Sequence, residues 1–116
     1  MKIHVIGFVA PIIGVENSFN TFRMGTFYLK RIFPGDDVLL LNEKEKMVFG
    51  RARVEKIVAG PLEEMCEKYA ETNHTEVNNT LEGASERLYL VLKRLYGPHI
   101  AAPSKKATVI FLKRIE

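Results

Sequence analysis

Cysteine and histidine are scarce in this 116-residue sequence, which limits the redox and metal chemistry that it can support. The single cysteine, Cys66, excludes a disulfide within the chain and fits a reducing compartment, so we expect a cytoplasmic protein. The three histidines are His4, His74 and His99. They lie far apart and have no cysteine pair beside them, so no zinc or iron spacing exists and we expect no metal.

The sequence motifs of nucleotide hydrolysis, dinucleotide binding and α/β-hydrolase chemistry are also absent. No G-x-x-x-x-G-K-[ST], G-x-G-x-x-G or G-x-S-x-G segment occurs, and we expect no cofactor. A long hydrophobic run is missing too. The apolar stretch 3–15 is interrupted by His4, Gly7, Pro11 and Gly14, and it is too short to span a bilayer. This stretch predicts a first strand followed by a loop.

Charge is distributed unevenly, although the net charge of the whole chain is only +3. Counting Lys and Arg against Asp and Glu gives +3 for residues 1–60, −6 for residues 61–86 and +6 for residues 87–116. A basic and an acidic zone on one small domain can orient a polyanion on one face. Two solvated helix faces produce the same pattern, so charge alone leaves both interpretations open.

The order of the predicted elements indicates one α+β domain, a small curled β-sheet or barrel with two flanking helices. Its clearest turn is Pro34-Gly35-Asp36-Asp37, where proline presets φ and glycine supplies a positive φ. A β-hairpin follows, and alternation along its second strand places Arg51 and Arg53 in a basic row outside the sheet. The predicted elements are a strand at 2–10, a loop at 11–23, strands at 38–41 and 47–58, two helices between 61 and 106, and a closing strand at 107–115.

The first helix is predicted to begin after Gly60, with Pro61 at its first helical position. Its apolar residues recur at helical spacing, so we expect Cys66 to be a packed core thiol rather than a nucleophile. His74 follows this helix, where we expect it to help satisfy the last helix carbonyls. The predicted buried stripe is Leu62, Met65, Cys66, Tyr69 and Ala70.

The second helix is predicted from a pair resembling a capping box, formed by Asn79 and Glu82. Lys93 and Arg94 complement its last turn, and Gly97 stops it. The predicted buried stripe is Leu88, Val91, Leu92, Leu95 and Tyr96.

The polar and aromatic segment 17–23 is the strongest candidate for a functional site. Amide and hydroxyl side chains, two phenylalanines and a final arginine can together recognise a flat polar group. Turn-forming residues beside core-facing Phe19 and Phe22 explain the same segment without a ligand. The candidate nucleic-acid-binding residues are Asn17, Ser18, Asn20, Thr21, Arg23, Lys30, Arg31, Arg51 and Arg53.

The order of these features resembles the ASCH domain, a family of the PUA-like β-barrels. Thr21-x-Arg23 is followed by Pro34-Gly35-Asp36, an aliphatic strand, a polar turn and Gly50-x-Ala52-x-Val54. The resemblance covers residues 2–60 and, more loosely, the closing strand. Residues 61–106 are then a helical insertion before that strand.

The resemblance implies a small barrel whose cleft accepts RNA or a nucleobase. It further implies that Thr21 and Arg23 line the cleft and that basic residues meet phosphates. The candidates for phosphate contact are the Arg51 and Arg53 row or Lys30 and Arg31.

One position departs from the pattern of the hydrolytic relatives, which place a lysine three residues before the threonine. Here that position is Ser18, and a serine cannot supply the amine that activates a nucleophile or polarises a carbonyl. Glu55 is the candidate, by position, for the acid that those relatives use. We therefore expect a module that binds RNA or a nucleotide. The alternatives are a small amidohydrolase-like enzyme acting on a modified nucleoside, and a protein-interaction domain using the acidic residues 61–86.

Overall fold

Five strands form one mixed β-sheet in the computed structural model, which describes residues 3–116. Along the chain they are β1 (His4–Phe8), β2 (Ser18–Met24), β3 (Asp37–Asn42), β4 (Met47–Pro61) and β5 (Lys106–Arg114). Their order in space is β1-β3-β4-β5-β2, so the first two strands occupy the two edges of the sheet. β1 pairs in parallel with β3, and the other neighbours are antiparallel. The predicted α+β class is confirmed, and the sheet is open rather than a closed barrel.

The predicted hairpin is confirmed as β3 and β4. Its turn is closed by Asn42, whose side-chain oxygen accepts the N–H of Glu45 at 3.1 Å. The alternation along β4 is also as expected: Ala52 and Val54 are buried, and Arg53 on the opposite face is exposed. Local turn chemistry and period-two burial therefore determine this part of the sheet.

β2 contradicts the prediction of a loop over residues 11–23. It pairs with β5 along its whole length, from Ser18 opposite Lys113 to Met24 opposite Ala107. Pairing with a distant strand therefore overrides the turn preference of its asparagines and serine. The first strand is shorter than predicted, at His4–Phe8, and its predicted first residue, Lys2, lies outside the described residues.

Two α-helices, α1 (Leu62–Tyr69) and α2 (Ala84–Tyr96), lie in the connection between β4 and β5. Two short 3-10 helices, at Tyr28–Lys30 and Ala70–Thr72, complete the set of helices within residues 3–116. α1 buries the expected face, which includes Cys66. Pro61, predicted inside the helix, is instead the last residue of β4 and caps the helix with an extended ψ of 137°.

α2 begins at Ala84, later than the predicted pair at Asn79 and Glu82. The side chain of Asn79 accepts the neighbouring N–H of Thr80 at 2.9 Å, which forms a local turn instead of a helix cap. Gly83 then turns the chain into the helix with a φ of 80°, and no side chain caps the first turn. The predicted end at Gly97 is confirmed, since its N–H donates to the Lys93 carbonyl at 2.8 Å.

The core has two parts, one on each side of the sheet. One contains Ile6, Phe8 and Leu40 from β1 and β3, together with Phe19 of β2. The other packs Phe22 and the inner face of β5 against the helices. β2 therefore contributes a phenylalanine to each part. Neither helix has the length and apolar character needed to cross a membrane, within the residues that the structure describes.

Candidate functional site

A cleft of about 800 Å³ lies where the two edge strands approach α2. Its wall combines apolar carbon from the β1–β2 loop and α2 with a small number of polar side chains. Sites of this size and mixed character are typical of small-molecule and cofactor binding. The lining residues come from 7–13, 21–23, 73–76 and 87–96, together with Glu43.

Arg23 of β2 reaches across this cleft to β1. Its Nη1 donates to the main-chain carbonyl of Gly7 at 2.6 Å, and its Nη2 donates to Oγ1 of Thr21 at 3.2 Å. The guanidinium carbon lies 4.9 Å from the ring centre of Phe8, in cation–π contact. Two hydrogen bonds and an aromatic ring thus fix the orientation of this side chain.

Three of the five N–H donors of Arg23 are not used in these bonds: the one on Nε and one each on Nη1 and Nη2. Its Nε is buried and has no hydrogen-bond partner among residues 3–116. Burial lowers the pKa of Arg23 below its usual value, but a guanidinium remains charged in proteins. Arg23 lines the cleft, so the second N–H of Nη1 and of Nη2 can donate to a ligand atom there.

His74 lies on the same side of the cleft and is held as a neutral ring. Its Nδ1 lies 3.2 Å from the carbonyl oxygen of Ile13; because that oxygen only accepts, Nδ1 carries the proton. The ring packs edge-on against Phe8 and Phe19, at 5.2 and 6.2 Å between centroids. Burial, with a smaller effect from Arg23, lowers the pKa of His74 to about 4. At neutral pH its Nε2 is therefore a hydrogen-bond acceptor.

The position of His74 corrects the expectation that it satisfies helix carbonyls. Its partner is Ile13 of the β1–β2 loop rather than the end of α1. The reason is that the segment after α1 turns back along the free edge of β2. There Asn73 forms a parallel bridge with Asn20, and the N–H of His74 donates to the Asn20 carbonyl at 3.0 Å.

A buried amide network holds this segment in place. Nδ2 of Asn20 donates to the Tyr69 carbonyl at 2.9 Å and to Oγ1 of Thr72 at 2.7 Å. Oδ1 of Asn73 accepts the N–H and the hydroxyl of Thr75, at 3.0 and 2.8 Å. Asn20 and Asn73 are almost fully buried, and Asn20 lies outside the cleft lining, so it supports the wall that Asn73 belongs to.

Glu76 and Arg87 form an ion pair in the same wall. Glu76 is only 4% exposed, and its Oε1 accepts from Arg87 at 2.8 Å from Nε and 2.7 Å from Nη2. Arg87 also donates to the carbonyls of Thr80 at 2.6 Å and Glu82 at 2.8 Å. One arginine thus anchors both the wall and the irregular segment before α2.

The predicted apolar stripe of α2 is divided between the core and the cleft. Leu88 and Leu92 are buried against the sheet, as expected. Leu95 is 51% exposed at the cleft, and across from it Val9 and Ile13 are each 49% exposed. Helical spacing could not separate these two faces, because both are apolar.

Thr21 and Arg23 are the predicted binding residues that line the cleft. The others lie elsewhere. Arg31 stacks on Phe27 at 3.9 Å, Arg51 lies 3.4 Å from Glu116, and Arg53 donates to Asp37 at 3.0 Å. The remaining predicted residues outside the lining are Asn17, Ser18, Asn20 and Lys30, as is Glu55.

Sequence patterns missed Glu43, His74 and Arg94, which line the cleft from three different connections or helices. Glu43 lies in a polar hairpin turn and Arg94 near the end of a helix, where charged residues usually indicate only solvent exposure. Within residues 3–116, no three His, Cys, Asp or Glu side chains gather in a way that could hold a metal ion.

No family model matches the chain, and neither does any curated protein. Solved structures do match. The hypothetical protein PH0355 aligns with a TM-score of 0.65 and 19% identity, over 99% of this chain and 100% of that chain. EF3133 from Enterococcus faecalis V583, with the family model DUF984, has a TM-score of 0.59 and 15% identity, over 88% of this chain and 62% of that chain. The chain therefore spans less than two thirds of the Enterococcus protein.

The ASCH protein from Zymomonas mobilis aligns with a TM-score of 0.55 and 18% identity. The match covers 97% of this chain and 67% of that chain. These likenesses concern the course of the backbone, since identity is below one residue in five. They confirm that the chain has an ASCH-like fold.

Proposed function

We propose that the chain binds RNA or a nucleotide by holding one nucleobase in the cleft beside Arg23. The observation that carries the proposal is the pair of opposite hydrogen-bonding groups at Arg23 and His74. Arg23 lines the cleft and offers the second N–H of each terminal nitrogen, and neutral His74 offers an acceptor at Nε2. Phe8 contacts both side chains, which places them on one side of the cleft.

This arrangement suits a planar ligand whose edge carries both an acceptor and a donor. Nucleobases have such edges, and their faces pack on apolar and aromatic side chains when the base is unstacked. The exposed side chains of Val9, Ile13 and Leu95 provide apolar surface for those faces. A cavity of about 800 Å³ is large enough for a nucleotide with its sugar.

Arg94 is the best placed cation for a phosphate in the cleft. Glu76 already neutralises Arg87, whereas Arg94 has no acidic partner within 4 Å in the described part of the chain. We assign it the phosphate contact that the sequence had suggested for Arg51 and Arg53. Those two arginines lie outside the cleft, beside Glu116 and Asp37.

We propose binding rather than turnover at this site. The Thr21 hydroxyl accepts a hydrogen bond from Arg23, and within residues 3–116 no bond joins it to His74, so these two side chains do not form a nucleophile and base pair. Ser18, at the position where the hydrolytic relatives have lysine, is exposed and outside the lining.

The test is titration of the protein with the common ribonucleoside monophosphates and with short single-stranded RNA, followed by calorimetry or anisotropy. We expect Arg23→Ala to weaken binding by about 10- to 100-fold, because hydrogen bonds from a charged group contribute about 1.5–3 kcal/mol. His74→Asn should also weaken it, since asparagine keeps the donor toward Ile13 and lacks the Nε2 acceptor.

Arg31→Ala is the matched control, because Arg31 has the same charge and stacks on Phe27 outside the cleft. Equal affinity losses in Arg31→Ala and Arg23→Ala would show a general charge effect and overturn the cleft assignment. Absence of binding by every nucleotide and RNA at millimolar ligand would overturn the proposal itself.

A further inference from the structure

A second, shallower depression of about 700 Å³ adjoins the cleft. We call it the basic groove and define it by its lining residues: Met24, Gly25, Thr26, His99, Ile100, Lys105 and Lys106. None of these residues was a candidate in the sequence. Their positions on two distant stretches of chain, 24–26 and 99–106, explain why, since the groove exists only after β2, α2 and β5 have packed.

The basic groove and the cleft are lined by residues that lie close together in the chain at two places. Along β2, Arg23 lines the cleft and the next residue, Met24, lines the groove. At the end of α2, Tyr96 lines the cleft and His99 lines the groove. A strand advances about 3.3 Å per residue and consecutive side chains point to opposite faces. A ligand longer than one nucleotide would therefore pass from the cleft to the groove around the free edge of β2.

Two lysines give the groove its charge. Lys105 and Lys106 are exposed, and neither has an acidic partner within 4 Å among residues 3–116. They differ in this respect from Arg53 and Arg87, which form ion pairs with Asp37 and Glu76. Lysines without an acidic partner beside a groove attract phosphate groups without selecting a base.

The floor of the groove is fixed main chain. The N–H of Gly25 donates to the Lys106 carbonyl at 2.8 Å, and the Gly25 carbonyl accepts from the Thr108 hydroxyl at 2.7 Å. Gly25 has a φ of 81°, and no atom lies within 4 Å of where a Cβ would stand. The floor of the groove is therefore accessible to a ligand, and its main chain is held by hydrogen bonds. Beside it, Ile100 is 55% exposed and offers apolar contact to a sugar or base.

We infer that the basic groove binds the phosphodiester backbone next to the nucleotide in the cleft, so that the full ligand is a single-stranded nucleic acid. This inference rests on the proposed function and goes beyond it, because it distinguishes an oligonucleotide from a free nucleotide. Lys105 and Lys106 contact phosphates, and Ile100 packs against the adjoining nucleoside.

The experiment compares a mononucleotide with short single-base RNA and DNA oligonucleotides over a range of salt concentrations. The test protein is Lys105→Gln/Lys106→Gln. Its matched control is Lys44→Gln/Lys113→Gln, which removes the same charge from positions that line neither cavity. We expect the test variant to bind oligonucleotides about three- to tenfold more weakly at low salt while its mononucleotide affinity is unchanged.

The salt dependence gives a second readout. Losing two phosphate contacts should reduce the slope of log affinity against log salt by about 1.4 for a single strand. An equal affinity loss for RNA and DNA oligonucleotides in the test variant would show that the groove recognises phosphate alone. A larger loss for RNA would indicate an additional contact to the 2′-hydroxyl.

Three outcomes would overturn the inference. One is an equal loss in test and control variants, and another is an oligonucleotide that binds no more tightly than the mononucleotide. Either leaves the cleft proposal intact if Arg23→Ala still weakens mononucleotide binding by about 10- to 100-fold. The third is absence of mononucleotide binding to the wild type, which would overturn both proposals together.

Discussion

The guanidinium of Arg23 donates to the carbonyl oxygen of Gly7 across 2.6 Å, and this bond joins the two edge strands of an open sheet. β1 and β2 share no ladder of their own, so a side chain provides the link between them. The carboxylate of Glu43 lies over Gly7, in the space that a Cβ would fill. One arginine therefore contributes to the architecture and faces the proposed ligand.

Arg23→Ala should destabilise the protein even without ligand. The Gly7 carbonyl loses its charged partner at a partly buried position, which costs about 1–3 kcal/mol. Urea unfolding of the variant measures this loss. Arg31→Ala is expected to change the free energy of unfolding by less than about 1 kcal/mol, because Arg31 is exposed. Equal effects of the two substitutions would contradict the structural role of Arg23.

Gly14→Ala should be among the more damaging single substitutions. Gly14 has a φ of 70°, and an added Cβ would collide with the main-chain carbonyl of His74. Left-handed strain and overpacking together should cost about 3 kcal/mol or more. Gly35→Ala is the control, since its φ of 96° is also positive but nothing lies near its Cβ, and about 1–2 kcal/mol is expected. Thermal or urea unfolding would distinguish the two, and similar losses would refute the predicted contact.

Stability should fall with acid in a way that depends on His74. Its pKa is about 4 in the folded protein and about 6.5 in the unfolded chain, so the unfolded state binds the proton first as pH falls. The stabilisation is complete above about pH 6.5 and is lost progressively down to about pH 4, by at most about 3 kcal/mol.

His74→Asn isolates this effect, because asparagine does not titrate and can still donate to Ile13. We expect the difference in unfolding free energy between wild type and variant to change across that pH range and to be constant above it. Parallel pH profiles for the two proteins would show that His74 is not held neutral.

The Glu76–Arg87 pair should be far more important than a pair on the surface. Arg87→Met leaves a buried carboxylate without its partner, which should cost about 3 kcal/mol. Removing Lys68 from its exposed bond to Glu64 should leave the free energy of unfolding almost unchanged, because solvent screens a surface ion pair. Restoring stability with Glu76→Leu in the Arg87→Met background would identify the unpaired charge as the cause. No recovery would instead assign the loss to the bonds from Arg87 to the chain before α2.

Asn20→Ala tests whether that residue binds ligand, as the sequence suggested, or supports the cleft wall. Its amide joins Asn73, Tyr69 and Thr72 in a buried network, so we expect a loss of about 1–3 kcal/mol in unfolding free energy. The folded variant should retain more nucleotide affinity than Arg23→Ala. Asn17→Ala, at an exposed position, should change stability by less than about 0.5 kcal/mol. An affinity loss in Asn20→Ala as large as in Arg23→Ala would assign Asn20 to the ligand.

The hairpin of β3 and β4 could be predicted because its signals are local: a polar turn and alternating burial within about twenty residues. β2 could not, since its hydrogen-bonding partner β5 begins more than eighty residues later. Its polar residues prefer turns in isolation, and only the pairing makes them extended. The prediction of where α2 begins failed for a related reason. Arg87 donates hydrogen bonds to the carbonyls of Thr80 and Glu82 and holds the chain before the helix in an irregular form.

Cleft residues that belong to one short sequence motif could be predicted. Cleft residues that are brought together only by tertiary packing could not. Thr21 and Arg23 follow directly from the resemblance to the ASCH domain, and both line the cleft. His74 reaches the cleft through the bridge between Asn20 and Asn73, a contact across more than fifty residues that no local pattern indicates. Glu43 and the basic groove likewise depend on how distant connections meet.

The segment from Leu62 to Lys105 joins two neighbouring antiparallel strands, a link that a short turn also makes in other proteins. In this fold it supplies one wall of the cleft, while Arg23 and Gly7 belong to the sheet. In the proposed binding mode, selectivity and anchorage therefore lie in separable parts of the chain. We expect that exchange of this one insertion between related chains would alter which ligand the proposed cleft accepts and keep Arg23, a route for diversification in nature and for engineering in the laboratory.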